Sequence, residues 1–177
     1  VHRLDKDTSG VLVVAKNEAA VANLVAQFSS HSVRKEYLAL VWGAPQKPSG
    51  TVELPVGRHP VHRQKMAVTE KGRPAVTHYE TLAAGPLASL LRVRIETGRT
   101  HQIRVHLAHL GQPVVGDSTY GRARHGLPDG LKIPRQMLHA HVLKIAHPRD
   151  GRPLAFTAPP PPDFLAAQAI LAGPPCA

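Results

Sequence analysis

The sequence predicts a single α+β domain built on a mixed, largely antiparallel sheet flanked by a few helices. Strand and helix patterns alternate without the regular spacing of βαβ units, and short hairpin-like turns join several of the predicted strands. With 177 residues, the chain is long enough for one domain with a hydrophobic core and hardly long enough for two.

The first third of the chain predicts one helix between short strands. An apolar run at residues 11–15 is typical of a buried strand, and Asn17 then caps a helix that ends near residues 29–30. The apolar residues that recur at helical spacing are Val21, Leu24, Val25 and Phe28. Residues 34–42 are rich in β-formers and predict a strand whose side chains alternate between two faces, and residues 51–56 predict a further short strand.

The remaining elements follow from the same patterns. Strands are predicted at residues 75–82, 87–96, 113–115, 138–146 and 154–157. Residues 97–100 are predicted to lead into a helix that continues to about Leu110, where Gly111 stops it, with Ile103, Leu107 and Leu110 on its buried face. Asp163 is predicted to cap a closing helix of about two turns.

The charge of the chain points to a polyanionic partner. The formal net charge is +10 and the isoelectric point is near 10.4, although a generally basic soluble surface is an alternative explanation. Residues 58–73 form the most basic stretch and predict a β-hairpin arm or loop that contacts phosphates, with an ordinary solvated loop as the alternative. Only seven aromatic residues are present, which favours a structured nucleic acid over a long stacked single strand.

Several kinds of chemistry are disfavoured. The single cysteine, Cys176, excludes a disulfide framework and a cysteine-based zinc site. His101 and His106 do not have the spacing that places two metal ligands on one helix face, so we expect no metal. Ser9 lacks the surroundings of a nucleophilic serine, and no Walker-type phosphate loop occurs. Nothing in the sequence indicates export, so we expect a cytoplasmic protein.

An aspartate and two side chains that can tune it remain as candidates for catalysis. Asp5 can act as a nucleophile if a nearby fixed positive charge keeps it ionised, and Arg104 is the strongest candidate for that charge. Tyr37 can stack on a base and offer a hydroxyl group for proton transfer. Structural alternatives remain open for each: a turn aspartate, a phosphate-binding arginine and a half-buried strand tyrosine.

Three stretches together resemble the RluA-type pseudouridine synthases. Residues 2–10 (HRLDKDTSG) resemble the first motif of this family, HRLDxxTSG, and residues 34–43 resemble the second, K-x-Y-x-A-x-V-x-G. Residues 96–121 resemble the third, TGRTHQIRVHLAxLGxPxxGDxxYG. Residues 57–60, 65–68 and 72–79 are most similar to the branch of large-subunit ribosomal RNA synthase D. The similarity extends to about residue 159.

The resemblance implies that the protein converts specific uridines of structured RNA, such as 23S ribosomal RNA, to pseudouridine without metal or organic cofactor. By their motif positions, Asp5 is the implied catalytic aspartate, Tyr37 the tyrosine that stacks on the target base, and Arg104 the arginine that pairs with the aspartate. Arg3 matches a residue that helps to displace the base from its stack, which costs a few kcal/mol. The predicted RNA-binding residues are Arg3, Lys35, Arg58, Arg63, Lys65, Arg99 and His101.

Members of the family carry strands before the first motif, and the synthase D branch resembles proteins with an N-terminal S4-like RNA-binding domain. Neither is present in this sequence, so we expect residues 1–177 to be one monomeric catalytic domain without its N-terminal part. Two other functions are alternatives on the sequence alone. A non-catalytic RNA-binding module would keep the basic surface, whereas a small-molecule lyase or glycosidase lacks the second carboxylate that glycoside hydrolysis requires.

Overall fold

The structure, a computed structural model, describes residues 1–121, 128 and 131–173. Its helices are α1 (Glu18–Ser29), α2 (Gln102–His109) and α3 (Pro162–Leu171). Its strands are β1 (Ser9–Gly10), β2 (Arg34–Trp42), β3 (Ser49–Glu53), β4 (Val56–Arg58), β5 (Met66–Val68), β6 (Val76–Ala84), β7 (Ala88–Ile95), β8 (Leu138–Ala146) and β9 (Pro153–Thr157).

One mixed sheet organises the described part of the chain. Its strand order is β1-β8-β2-β7-β6-β3, and β9 pairs with β8 beside β1. Every pairing in this sheet is antiparallel except that of β1 with β8. Strands β4 and β5 pair with each other in a separate two-stranded hairpin, as the basic stretch at residues 58–73 predicts. The predicted α+β class with a largely antiparallel sheet is confirmed.

The two faces of β2 build two hydrophobic cores, because successive side chains of a strand point to opposite faces. Ala39 and Val41 pack with residues of α2. Leu40 and Trp42 pack on the opposite side with residues of α3. The alternation predicted for residues 34–42 is therefore confirmed, and the sheet is covered by one helix on each side.

Helix α1 covers a third, smaller cluster near the end of β8. The side chain of Asn17 accepts a hydrogen bond from the amide of Ala20 at 2.9 Å, which confirms the predicted cap. The predicted buried face is only partly correct. Leu24 is fully buried, but Val21 and Val25 are 43% and 44% exposed because α1 lies at the end of the sheet and covers it with a narrow stripe.

The predicted strand at residues 11–15 is wrong. The amide of Val13 donates to Nε2 of His2 at 3.1 Å, so a side chain takes the donor that a strand partner would use. Pairing with β8 is instead confined to Ser9–Gly10 and the amide of Val11, which donates to the carbonyl of Ala140 at 2.9 Å. The apolar character of the run remains useful, because its inward side chains pack against the cluster under α1.

Several other predictions differ from the structure in detail. Residues 113–115 form only an isolated bridge between Val114 and Val41. The predicted strand at residues 51–56 is divided between β3 and β4. Helix α2 begins at Gln102, shortly after the residues predicted to lead into it, but it ends at His109, and Leu110, predicted to lie on its buried face, is 41% exposed.

Asp163 does not cap α3. Pro161 occupies the N-cap position, and the Asp163 carboxylate instead pairs with Arg135 at 2.8 Å. Cys176 and most of the irregular segment predicted between residues 122 and 134 lie outside the described residues. None of the helices that the structure describes has the length and apolar character needed to cross a membrane.

The close pairing of β1 with β8 requires glycine at position 10. Gly10 has φ +117°, and a Cβ atom there would lie 2.1 Å from the carbonyl oxygen of Ala140. We expect Gly10→Ala to lower the free energy of unfolding by about 3 kcal/mol or more, because backbone strain and overpacking add. Gly151→Ala is the matched control. Gly151 also has a positive φ, +74°, but its added Cβ would meet nothing within 4 Å. It should cost about 1 kcal/mol. Equal losses in urea unfolding would contradict this explanation.

Candidate active site

A pocket opens where the loop of the first motif meets the ends of β2, β7 and β8 and the start of α2. Its empty volume is about 500 Å³, and it is open to solvent. Asp5 and Tyr37 both line it. The other lining residues are Arg3, Leu4, Thr8, Ile95, Gly98, Arg99, Thr100, His101, Gln102, Ile103 and Leu138. Two of the three predicted catalytic residues thus face one cleft, and Arg104 lies directly behind Asp5.

The loop that carries Asp5 is held from both ends. Its turn closes with a hydrogen bond from the amide of Thr8 to the carbonyl of Asp5 at 3.1 Å, and Asp7 takes a left-handed conformation with φ 68°. Gln136 donates from Nε2 to the carbonyl of Lys6 at 2.5 Å. Arg135 donates to the carbonyl of Asp7 at 3.1 Å while its guanidinium is paired with α3. Neither residue is predicted from the sequence, because both lie outside the three motifs.

Ser9 ties the end of this loop to β8. Its hydroxyl lies 2.9 Å from Nδ1 of His139, whose Nε2 lies 3.0 Å from the carbonyl of Ala158. A carbonyl can only accept, so Nε2 carries the proton and the Ser9 hydroxyl donates to Nδ1. Burial lowers the pKa of His139, which is consistent with a neutral ring.

Arg104 is shared between two carboxylates. Its Nη1 lies 3.3 Å from Oδ2 of Asp5. Its Nε and Nη2 lie 2.6 and 2.9 Å from the two oxygens of Asp117. The predicted pairing of Arg104 with Asp5 is present in the structure, but the shorter, bidentate pair is formed with Asp117.

Asp117, which is not among the residues predicted from the sequence, is the second partner of Arg104. Its side chain is completely buried, and it also accepts hydrogen bonds from the amides of Thr119 and Tyr120 at 2.9 and 3.0 Å. Burial opposes its charged form, but the hydrogen bonds from Arg104 and these two amides outweigh burial and lower its pKa. The only sequence signal was its place in the third motif, inside a turn-rich loop where aspartates are common.

Tyr37 presents a protonated phenol to the pocket. It lies in β2 opposite Val93 of β7 and Ala140 of β8. Burial, together with the negative charge of Asp5, raises the pKa of Tyr37 to about 12. The hydroxyl therefore keeps its proton at neutral pH.

His101 occupies a strained position at the pocket wall. It has φ 56°, a conformation that a non-glycine residue adopts only when its surroundings fix it. Its Nδ1 lies 2.7 Å from the hydroxyl of Tyr120, which accepts from the amide of Met66 at 2.9 Å. The Tyr120 hydroxyl proton is thus directed at Nδ1, and burial lowers the pKa of His101. This chain of contacts links the pocket to the β4–β5 hairpin.

A buried polar network attaches α2 to the sheet beneath the pocket. Gln102 donates to Val76 and Thr77 and accepts from Thr97, so both ends of its amide are satisfied. His106 bridges Thr77 at 2.9 Å and the carbonyl of Leu54 at 2.9 Å. Burial lowers the pKa of His106 and keeps it neutral. The network fixes the helix that carries Arg104.

A larger basic groove continues from the pocket, with an empty volume of about 1070 Å³. Three of the predicted RNA-binding residues, Arg3, Lys35 and Arg99, line it, and Arg3 and Arg99 also line the pocket. Its lining residues are Val1, His2, Arg3, Val25, Phe28, Ser29, His31, Lys35, Tyr37, Arg73, Ile95, Gly98 and Arg99. No aspartate or glutamate is among the described residues that line it. Burial lowers the pKa of Lys35, whose Nζ donates to the carbonyl of Glu96 at 3.3 Å.

The other predicted RNA-binding residues lie apart from this groove. Arg63 and Lys65 line a separate cleft beside Ser118 and Thr119, and Lys65 donates to the carbonyl of Thr119 at 2.9 Å. Arg58 donates from Nη1 to the carbonyl of Arg63 at 3.2 Å and stiffens the hairpin. The structure therefore divides the predicted contacts between two basic surfaces, with His101 between them.

Within residues 1–121, 128 and 131–173, no three His, Cys, Asp or Glu side chains are grouped so that they could hold a metal ion. The polar groups of the pocket are instead carboxylate, phenol, imidazole and guanidinium. Such a set suits nucleophilic attack and proton transfer on an organic substrate.

Comparison with known proteins identifies the class to which this fold and pocket belong. The chain belongs to the RNA pseudouridylate synthase family, whose model matches residues 1–109. It is 48% identical over 172 residues to ribosomal large subunit pseudouridine synthase D of Nitrosomonas europaea, covering 94% of this chain and 49% of that protein. It is 53% identical over 164 residues to an uncharacterized RNA pseudouridine synthase of Chloroflexus aurantiacus, covering 93% and 50%. The chain thus spans about half the length of these curated relatives.

Solved structures of RNA pseudouridylate synthase domains share this fold. Human RNA pseudouridylate synthase domain containing 4 superposes with a TM-score of 0.79 at 27% identity, covering 96% of this chain and 74% of that one. Human RNA pseudouridylate synthase domain containing 1 gives a TM-score of 0.77 at 36% identity, covering 89% and 67%. The resemblance of the three motifs to this family is confirmed.

The buried neutral histidines predict a loss of stability in mild acid. The pKa values of His106 and His139 lie below the ordinary value of about 6.5. Between those values and 6.5 the unfolded chain binds protons that the folded chain does not, so stability decreases as the pH falls through this window. We expect a smaller free energy of unfolding in urea at about pH 5.5 than at about pH 7.5.

The variant His106→Gln isolates one of these rings. The amide of the introduced glutamine offers a donor for the Leu54 carbonyl but does not titrate, so the variant should show a weaker pH dependence than the wild type. An unchanged difference between the two pH values would contradict the assignment of His106.

Proposed function

We propose that this chain converts uridine in RNA to pseudouridine, with Asp5 as the nucleophile. The observation that carries the proposal is the state of the Asp5 carboxylate. It lines the pocket, and among the described residues it accepts a side-chain hydrogen bond only from Arg104, through Oδ2 at 3.3 Å. Its Oδ1 is therefore free to attack a nucleotide placed in the pocket.

The chemistry needs few groups. The carboxylate of Asp5 forms a bond to a carbon of the target nucleotide, and the glycosidic bond between N1 and the ribose breaks. The base then turns and C5 bonds to the ribose carbon. The bond to Asp5 breaks, the C5 proton leaves, and N1 takes up a proton, so the product is an isomer of the substrate and the carboxylate is regenerated. Tyr37, whose pKa of about 12 keeps it a phenol, packs beside the base and holds the hydroxyl through which this proton can be exchanged.

The basic groove supports RNA as the substrate. Its cationic side chains, Arg3, Lys35, Arg73 and Arg99, face no carboxylate among the described lining residues, so phosphates can neutralise them. An exposed arginine at the mouth of the pocket, Arg3, suits the task of keeping a base out of its stack. The names of the relatives suggest large-subunit ribosomal RNA as the target. The proposal places the chain in the cytoplasm, acting as a monomer.

The first test removes the nucleophile. We expect Asp5→Asn to abolish pseudouridine formation, measured by chemical mapping of the modified RNA, because the amide cannot attack. RNA affinity should change by less than about threefold, since the amide keeps the shape of the carboxylate.

Asp7→Asn is the matched control. Asp7 lies in the same loop, is exposed, and has φ 68°, a conformation that asparagine tolerates. We expect this variant to retain the wild-type rate. Turnover by Asp5→Asn, or equal losses in both variants, would reject Asp5 as the nucleophile.

The second test concerns the groove. We expect Arg73→Gln to weaken RNA binding and to reduce the slope of log K against log salt concentration by about 0.7 to 0.9, the value for one phosphate contact. Arg149→Gln, at an exposed turn outside the groove, should leave both quantities unchanged. An identical salt dependence for Arg73→Gln and wild type would exclude this groove from RNA binding.

A further inference from the structure

Asp117 determines which edge of the Arg104 guanidinium faces the pocket. A guanidinium offers a two-nitrogen edge that matches a carboxylate, and such a bidentate pair is the strongest contact it makes. Asp117 occupies the edge formed by Nε and Nη2 at 2.6 and 2.9 Å. Three N–H groups remain, and one of them, on Nη1, contacts Oδ2 of Asp5 at 3.3 Å.

The occupied edge also changes the charge that Asp5 experiences. Arg104 and Asp117 are both buried, with 6% and 0% of their side chains exposed. Water therefore screens their charges weakly, and the pair has no net charge. Without Asp117 the Nε–Nη2 edge would also be free, so Arg104 could rotate into a bidentate pair that engages both oxygens of Asp5, including the one that attacks.

The position of Asp117 is fixed by the backbone on both sides of it. Its Oδ1 accepts from the amides of Thr119 and Tyr120 at 2.9 and 3.0 Å. The preceding residue, Gly116, has φ +76°, and a Cβ there would lie 2.1 Å from the carbonyl of Arg135. The ring of Tyr120 lies 5.1 Å from the Arg104 guanidinium and covers its face. The Asp117 carboxylate therefore holds the Arg104 guanidinium in a fixed orientation.

We propose that Asp117 is a positioning residue for the isomerisation: it holds Arg104 by one edge and balances its charge, so that Asp5 is oriented by a single hydrogen bond and remains free to attack. This inference rests on the proposed function. It assigns Asp117 no contact with RNA, and its effect passes entirely through Arg104.

The central experiment is single-turnover kinetics of Asp117→Asn with an RNA substrate. The amide can keep the contacts to Thr119 and Tyr120 but presents an NH₂ group to Arg104. We expect the rate at saturating RNA to fall about a hundredfold, the cost of a misplaced catalytic group, with RNA affinity unchanged. Because the guanidinium charge is then uncompensated, the acid limb of the pH–rate profile should move to lower pH. A merely structural role would lower stability without moving that limb.

A double variant tests whether Asp117 acts through Arg104. In the Arg104→Gln background, Asp117→Asn should cause no further loss of rate, because its target is already absent. Asp150→Asn removes an exposed carboxylate between His147 and Arg152 and should leave rate and pH profile unchanged. Wild-type kinetics in Asp117→Asn, or additive losses in the double variant, would overturn the inference.

A measurement by NMR keeps the inference testable if Asp117→Asn does not fold. In Asp5→Ala, the Nε proton of Arg104 should remain protected from exchange, since Asp117 and not Asp5 holds it. Loss of that protection would overturn the inference. The two proposals can fail separately. A folded wild-type protein that forms no pseudouridine contradicts the proposed function, whereas protection of the Arg104 Nε proton reports only on the contact between Arg104 and Asp117.

Discussion

The site depends on one buried guanidinium that lies between two carboxylates. An arginine buried without a partner costs several kcal/mol, and a full pair with Asp117 removes most of that cost. A single hydrogen bond from Nη1 orients Asp5 and leaves the second oxygen of this carboxylate without a side-chain donor among the described residues. Contacts from three other parts of the chain fix these three side chains. The polar network under α2 positions Arg104, and the turn after Gly116 positions Asp117. Gln136 and Arg135 hold the loop that carries Asp5.

The predicted RNA-binding residues lie on two basic surfaces, and both surfaces are connected to the pocket. One surface, the groove that includes Lys35 and Arg99, continues directly from the cavity. The other surface belongs to the β4–β5 hairpin, where Lys65 donates a hydrogen bond to the carbonyl of Thr119 in the loop that carries Asp117. The same hairpin reaches His101 through Met66 and Tyr120. Under the proposed function, RNA bound on either surface would therefore contact segments that are hydrogen-bonded to the residues of the pocket.

Sequence patterns predicted the fold well where one strong signal dominates. The alternation of residues 34–42 gave both cores, and Asn17 gave the start of α1. Predictions failed where a distant contact decides the outcome. His2 takes the amide of Val13 and prevents a strand, and Arg135 draws Asp163 away from capping. Asp5 and Tyr37 were predicted from the chemistry of their side chains together with their motif positions, and the structure places both in one pocket. Asp117 lies within the third motif but was not predicted, because its contact with Arg104, 13 positions away, and its complete burial depend on the folded structure.

The most direct measurement of the central claim is a covalent trap. Rapid acid quenching of a single turnover should capture the nucleotide while it is still joined to its nucleophile, before the bond to Asp5 breaks. Trypsin cleaves after Arg3 and Lys6, so residues 4–6 form a peptide whose only carboxylate side chain is Asp5. We predict that mass spectrometry after nuclease digestion finds the nucleotide on this peptide. A nucleotide joined to the following peptide, which contains Asp7, or to any other residue would contradict the account.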